Sequence, residues 1–141
     1  GAIVNMASYA GLKASLMLGV YGMSKAAVIA MTRTLAVELG PAGITVNAIC
    51  PRAKTRMTDD PKVREMVVKR VEKGLMDPSV LKRMDKEMVD PSAFAKIAAF
   101  LASDDAALVN GQVFLRKKKA QAIRPCSSPP AWAWRGTQRR G

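Results

Sequence analysis

Short runs of apolar, β-branched residues occur at Ala2-Ile-Val-Asn-Met6, Ile44-Thr-Val-Asn-Ala-Ile49 and Gln112-Val-Phe-Leu115. Each has the length of a strand, and the first, opening the chain ahead of small residues, reads as a buried one. Ala-Ser-Tyr-Ala-Gly11 ends it. From Tyr21 to Leu39, small and apolar residues continue with no Pro and no Gly after Gly22, which predicts a long helix, and Gly40-Pro-Ala-Gly43 is a turn cluster. The order strand, helix, turn, strand is that of a crossover unit. A parallel α/β sheet with right-handed connections is therefore expected.

Past Pro51 the text becomes charged and rich in Met. Residues 61–73 and 79–88 read as amphipathic helical pieces separated by Gly74 and Asp77-Pro78, together forming a mobile lobe. Asp90-Pro91 offers an N-cap followed by Pro at the first helical position, and Phe94, Ile97, Ala98 and Leu101 then share one helical stripe. Asn110-Gly111 leads into the last strand. No internal repeat is present.

Charge divides the chain of 141 residues in two. Residues 1–115 hold 15 Lys and Arg against 11 Asp and Glu, whereas residues 116–141 hold eight basic residues and no acidic one. The organisation expected is one domain over 1–115 and a basic, disordered tail over 116–141. Clustered Lys and Arg with Trp132 and Trp134 could neutralise phosphates and stack on bases, or direct the protein to the nucleus. A solvated extension is the favoured reading of the tail, so nucleic acid is not the expected partner. The uncharged, apolar-leaning stretch over residues 14–24 is too short to cross a bilayer, which needs about 18 or more apolar residues. No membrane span or signal peptide is expected, and a cytoplasmic location is the default. The opening Gly-Ala-Ile-Val-Asn, without an initiator Met, reads as a chain that begins in mid-protein. Two Cys far apart suggest neither a disulfide framework nor a metal site, and the absence of His excludes a His-based triad or a His-ligated zinc. Cys50 reads as a small core residue rather than a nucleophile. Met57, Met66, Met76, Met84 and Met88 read as filler of amphipathic helices rather than the lining of an apolar pocket.

One constellation carries chemistry. Tyr21 and Lys25 are four residues apart, so on a helix their side chains share a face, one turn from each other. An ammonium beside a phenol stabilises the phenolate, and such a pair can exchange a proton with an alcohol or ketone near neutral pH. Ser8, 13 residues earlier, could hydrogen-bond the same substrate oxygen.

The flanking words strengthen this reading. Val4-Asn-Met-Ala-Ser8, Tyr21-Gly-Met-Ser-Lys-Ala-Ala27, Met31-Thr-Arg-Thr-Leu-Ala36, Gly43-Ile-Thr-Val-Asn-Ala-Ile49 and Pro51 resemble, in order and spacing, the short-chain dehydrogenase/reductase family over residues 1–115. The resemblance implies an α/β, partial Rossmann-like, doubly wound parallel sheet whose N-terminal strands are missing. It implies Tyr21 as general acid and base, Lys25 as its electrostatic partner and ligand of the nicotinamide ribose, and Ser8 as the group orienting the substrate carbonyl. Pro51, Ala53 and Thr55 match the segment at the nicotinamide end of NAD or NADP. The implied reaction is hydride transfer between the nicotinamide and a secondary alcohol or ketone, and the wording from Pro51 to Thr58 is similar to a subgroup that includes hydroxyacyl-CoA dehydrogenase domains. A homo-oligomer is implied for the full-length protein, through the helix over 21–39.

The chain departs from the family pattern in three ways. It contains no Gly-x-Gly-x-x-Gly turn, Arg52 stands where most members have Gly, and Arg116-Lys-Lys-Lys119 replaces the usual end of the last strand. With no pyrophosphate site at a helix N-terminus, the isolated chain is expected to bind dinucleotide poorly and to be inactive. The rival expectation is a non-catalytic binding or assembly fragment.

Overall fold

The computed structural model describes residues 1–14 and 18–115. The expectations for the basic tail, including Trp132, Trp134 and Cys126, lie outside the described residues. Three strands, β1 (Ala2–Met6), β2 (Thr45–Cys50) and β3 (Val113–Leu115), form one parallel sheet in the order β1-β2-β3. Among the described residues four α-helices accompany them: α1 (Gly19–Leu39), α2 (Pro61–Glu72), α3 (Ser79–Glu87) and α4 (Ser92–Leu101). Helix α1 is thus the predicted crossover between β1 and β2, beginning two residues earlier than the sequence pattern suggests.

Strand β2 explains the layering. Residues 46–50 are all buried, as expected of a parallel strand covered on both faces. Ala48 and Cys50 pack with Ile29 of α1, Val113 and Leu115 on one face. Ile49 points to the other and packs with Phe94 and Leu101 of α4 and with Ala106. Helices on both faces of a parallel sheet make the unit doubly wound.

Buried polar groups tie the layers together. Asn47, fully buried, donates from Nδ2 to the Val109 carbonyl at 2.7 Å and accepts from the Gln112 amide at 3.0 Å. Asn110 accepts from the Val46 amide at 2.8 Å and donates to the Ala36 carbonyl at 2.8 Å, linking β2 to α1. Asn5 donates to the Thr32 hydroxyl at 3.0 Å, which in turn donates to the Val28 carbonyl at 2.7 Å. These bonds satisfy groups that would be costly to bury unpaired.

Three details differ from the pattern-based reading. Strand β1 is partly exposed rather than buried, with Ile3 37% and Met6 51% accessible, because among the described residues it pairs only with β2. Gln112 stays outside β3, its amide being taken by the Asn47 side chain while its carbonyl accepts from the Ala48 amide at 2.8 Å. Met88 leaves α3 extended, so that Val89 pairs with Ala53 in an isolated parallel bridge. The cap expected at Asp90-Pro91 is present, with α4 starting at Ser92 rather than Pro91, and the same device occurs at Asp77-Pro78, where the pattern predicts only a break. The Asp77 and Asp90 carboxylates accept from the amides of Ser79 and Ser92, at 2.7 and 2.8 Å, and α3 and α4 begin there.

Candidate functional site at the C-terminal ends of the strands

In-register pairing of Met6 with Ile49 brings the C-terminal ends of β1 and β2 side by side. The loops that follow both strands therefore leave the sheet at one edge, where open α/β sheets hold their ligands. Ala7 extends the ladder by one bond, its amide donating to the Ile49 carbonyl at 2.9 Å. Ser8 comes next, in extended backbone, as the N-cap of a single 3₁₀ turn over Tyr9–Gly11. Its Oγ accepts from the Ala10 amide at 3.3 Å, so its own O–H keeps the capacity to donate outward.

Helix α1 supplies the other two groups. The Lys25 ammonium donates to the Met6 carbonyl at 3.0 Å, which pins it to the end of β1, two residues before Ser8. The same ammonium lies 5.8 Å from the centroid of the Tyr21 ring, within cation–π range. Tyr21 is 45% exposed, leaving its phenol open to a ligand. Two glycines allow the 3₁₀ turn to sit against α1. A Cβ on Gly11 would come within 2.6 to 2.8 Å of the Lys25 and Ala26 backbone, and one on Gly22 within 3.0 Å of the Ala10 carbonyl oxygen. The turn carrying Ser8 thus meets, backbone to backbone, the helical turn carrying Lys25.

The loop after β2 forms the second wall. Pro51 follows the end of β2, and Ala53 bridges to Val89, with the Lys54 amide donating to the Val89 carbonyl at 2.9 Å. The Thr55 amide donates to the Thr58 hydroxyl at 2.8 Å, and that hydroxyl donates to the Ala53 carbonyl at 2.8 Å, closing a tight turn. An open cleft of about 750 Å³ lies alongside, bordered by Thr55, Arg56, Asp59, Met88 and Asp90. Of the methionines considered for an apolar pocket only Met88 borders this cleft, while Met57 and Met66 are exposed to solvent. Cys50, fully buried beneath this edge, is not poised as a nucleophile. Burial pushes its thiol up to about 11, against the opposing pull of the Lys25 ammonium.

Sequence spacing finds Ser8, Tyr21 and Lys25 but not what seats them. Gly11, Gly22 and the Met6 carbonyl do that work. The signal available for the glycines is that both fall on segments destined to meet, one on each side of the strand-to-helix connection.

Open α/β sheets bind their ligands at the C-terminal ends of their strands, and there this chain places a hydroxyl, a phenol and an ammonium. The comparisons with known proteins sharpen this. The enoyl-(acyl carrier protein) reductase family model matches residues 1–116, and the chain belongs to the short-chain dehydrogenase/reductase family. It is 38% identical over 115 residues to a hydroxyacyl-CoA dehydrogenase of Mycobacterium tuberculosis, covering 82% of this chain and 32% of that protein. It is 36% identical over 117 residues to a 3-oxoacyl-[acyl-carrier-protein] reductase of Rickettsia felis, covering 79% of this chain and 43% of the relative. Among solved structures, carveol dehydrogenase from Mycobacterium avium in complex with NAD superposes with a TM-score of 0.66 at 31% identity, over 82% of this chain and 44% of the other. The chain therefore spans less than half the length of these relatives.

Proposed function

We propose that this chain carries the proton-transferring half of an NAD(P)-dependent oxidoreductase acting on secondary alcohols and ketones. The observation that carries the reading is the Lys25 ammonium, held by the Met6 carbonyl next to the Ser8 turn and lying over the Tyr21 ring. Relatives named for hydroxyacyl-CoA and 3-oxoacyl substrates support a 3-hydroxyacyl or 3-oxoacyl thioester as the substrate class.

The nicotinamide end of a cofactor fits this donor set. Lys25 spends one of its three N–H groups on Met6 and keeps two for ribose hydroxyls, with the Tyr21 phenol beside it. Pro51, Ala53 and Thr55 would form the wall on the other side. When bound, the nicotinamide supplies or accepts the hydride. In the reducing direction Tyr21 gives its phenolic proton to the ketone oxygen as the carbonyl carbon becomes a C–H centre. In the oxidising direction the phenolate takes the proton from the alcohol O–H. Lys25 stabilises the phenolate by its charge. Ser8 donates its O–H to the same oxygen and supports the negative charge that develops on it. No glycine-rich turn occurs anywhere in the sequence, so the pyrophosphate and adenosine must be held by residues other than these, and the chain alone is expected to turn over slowly or not at all.

A second reading has its own observation. Val20, Met23, Met31 and Val37 are exposed on α1, and at 100° per residue they share one face, opposite buried Ile29 and Ala36. That face, with the edge of β1 that no strand pairs among the described residues, fits an assembly surface, including one between copies of the full-length protein.

The test is hydride transfer followed by nicotinamide absorbance, with NADH and NADPH and a panel of ketones and 3-oxoacyl thioesters. It is run on this chain and on the chain together with whatever coding sequence adjoins it in the genome. Tyr21→Phe should lower kcat by roughly 10²- to 10⁴-fold, the usual worth of a positioned acid–base group. An active protein in which Tyr21→Phe has no effect would overturn the assignment, and absence of activity in every form would favour the assembly reading.

A further inference from the structure

Arg52 stands two residues beyond β2, where most of the resembled family has glycine, and its side chain is put to use. Its guanidinium carbon lies 5.2 Å from the centroid of the Tyr9 ring, on the loop that follows the other strand. Tyr9 directly follows Ser8, its ring packs against the cluster of Ala7, Ile29 and Cys50, and its carbonyl accepts the amides of Leu12 and Lys13 at 3.0 and 3.1 Å. Holding that ring therefore holds the turn that presents Ser8. The backbone of Arg52 is engaged in the other direction, since its carbonyl accepts the Val89 amide at 3.1 Å next to the Ala53–Val89 bridge. A single residue thus joins three segments: the Ser8 turn, the end of β2 and the segment that leads from α3 into α4.

We infer that Arg52 is a positioning residue, a clasp that fixes the Ser8 turn by stacking on Tyr9 and couples that turn to the segment at Val89. A glycine at this position could offer the backbone bond but not the clasp. The importance of the clasp for turnover rests on the proposed role of Ser8, but the clasp itself can be tested without turnover.

The experiment is native-state hydrogen exchange on the full 141-residue chain, reading the amides of Ala10, Gly11 and Leu12 against those of Val46 to Ile49. Arg52→Met keeps the length of the stem and removes the charge, while Tyr9→Leu removes the ring. Each should raise exchange in the turn about two- to fivefold, the range a cation–π contact near the surface supports. Strand β2 should be unaffected, and the double variant should add nothing to either single one. Arg52→Lys and Tyr9→Phe, which keep a cation and an aromatic face, should retain most of the protection. Unchanged exchange in the turn, additive effects, or a Tyr9→Phe variant as fast as Tyr9→Leu would each overturn the clasp. Should Arg52→Met also loosen β2, the two conservative variants decide the matter in the same way. In a catalytically active form of the protein, Arg52→Met should lower kcat with little change in KM, because the group displaced is one that orients the reacting oxygen. Absence of activity in every form, with the exchange pattern as expected, would count against the oxidoreductase reading alone, and an active protein without that pattern against the clasp alone.

Discussion

Replacing Gly11 by alanine adds one methyl group at the tightest contact of the site. The new Cβ would lie 2.6 Å from the Lys25 carbonyl carbon, 2.7 Å from the Ala26 nitrogen and 2.8 Å from the Lys25 oxygen. Ordinary contact begins near 3.4 Å, so turn and helix must part by about 0.8 Å, and every atom in the way is backbone of a 21-residue helix. Overpacking of this kind costs about 1 to 3 kcal/mol, which should lower the midpoint of urea unfolding. A displacement approaching 1 Å between Ser8 and the Tyr21–Lys25 pair could also cost up to roughly 10²-fold in turnover. The control is Gly19→Ala, in the first turn of the same helix, where a Cβ would meet nothing within 4 Å. That variant should be neutral or slightly stabilising, alanine being the better helix former. If Gly11→Ala unfolds at the same urea concentration as the unsubstituted chain, the backbone seat is not what holds the turn against α1, and this account of the site's geometry fails.

Asn47→Ala should destabilise by about 1 to 3 kcal/mol in the same urea assay, because the part-buried Val109 carbonyl and Gln112 amide both lose their partner. Cys50 should resist alkylation at pH 8 in the folded chain and react once the chain is unfolded, as mass spectrometry of its peptide would show, since burial keeps the thiol protonated. The folded thiol holds its proton to about pH 11 and the unfolded one to about 9, so roughly 1 to 3 kcal/mol of stability present below pH 9 is lost between those values. The Asp90 carboxyl, held below its ordinary value by the Ser92 hydroxyl and amide, should titrate by NMR below a peptide aspartate; the start of α4 then gains from the bond above the ordinary carboxylate range and loses it as pH falls through the lowered value.

Much of this was legible in the sequence because the determinants are local. The runs at 2–6 and 44–49 and the turn at 40–43 specify a crossover unit by themselves, and Tyr21 and Lys25 share a helical face by spacing alone. What escaped has its cause outside the segment concerned. The run at Ala2–Met6 looks buried by composition, yet burial of a strand depends on how many neighbours pair with it. Asn47 and Asn110 look like ordinary polar positions, but their amides work across more than sixty residues of chain. Arg52 read simply as a large residue in place of a glycine, and its contact with Tyr9 follows only once parallel pairing sets the two loops side by side.

The contacts described at the candidate site join β1, β2, the loops that follow them and α1. Lys25 is fixed by Met6, the Ser8 turn by Gly11 against α1 and by Tyr9 against Arg52, and the two strand ends by their shared register. Nothing in that list requires a nucleotide, whereas holding the pyrophosphate calls for a glycine-rich turn that the sequence does not contain. On the proposed reading the two requirements are therefore separable: geometry for proton transfer forms with this sheet, and affinity for the dinucleotide depends on groups other than these. A deficit confined to the second requirement would leave the rate of the chemical step intact once nucleotide is bound. A deficit in the first would persist at saturating nucleotide, and that difference separates an incomplete dehydrogenase from a chain whose site has decayed.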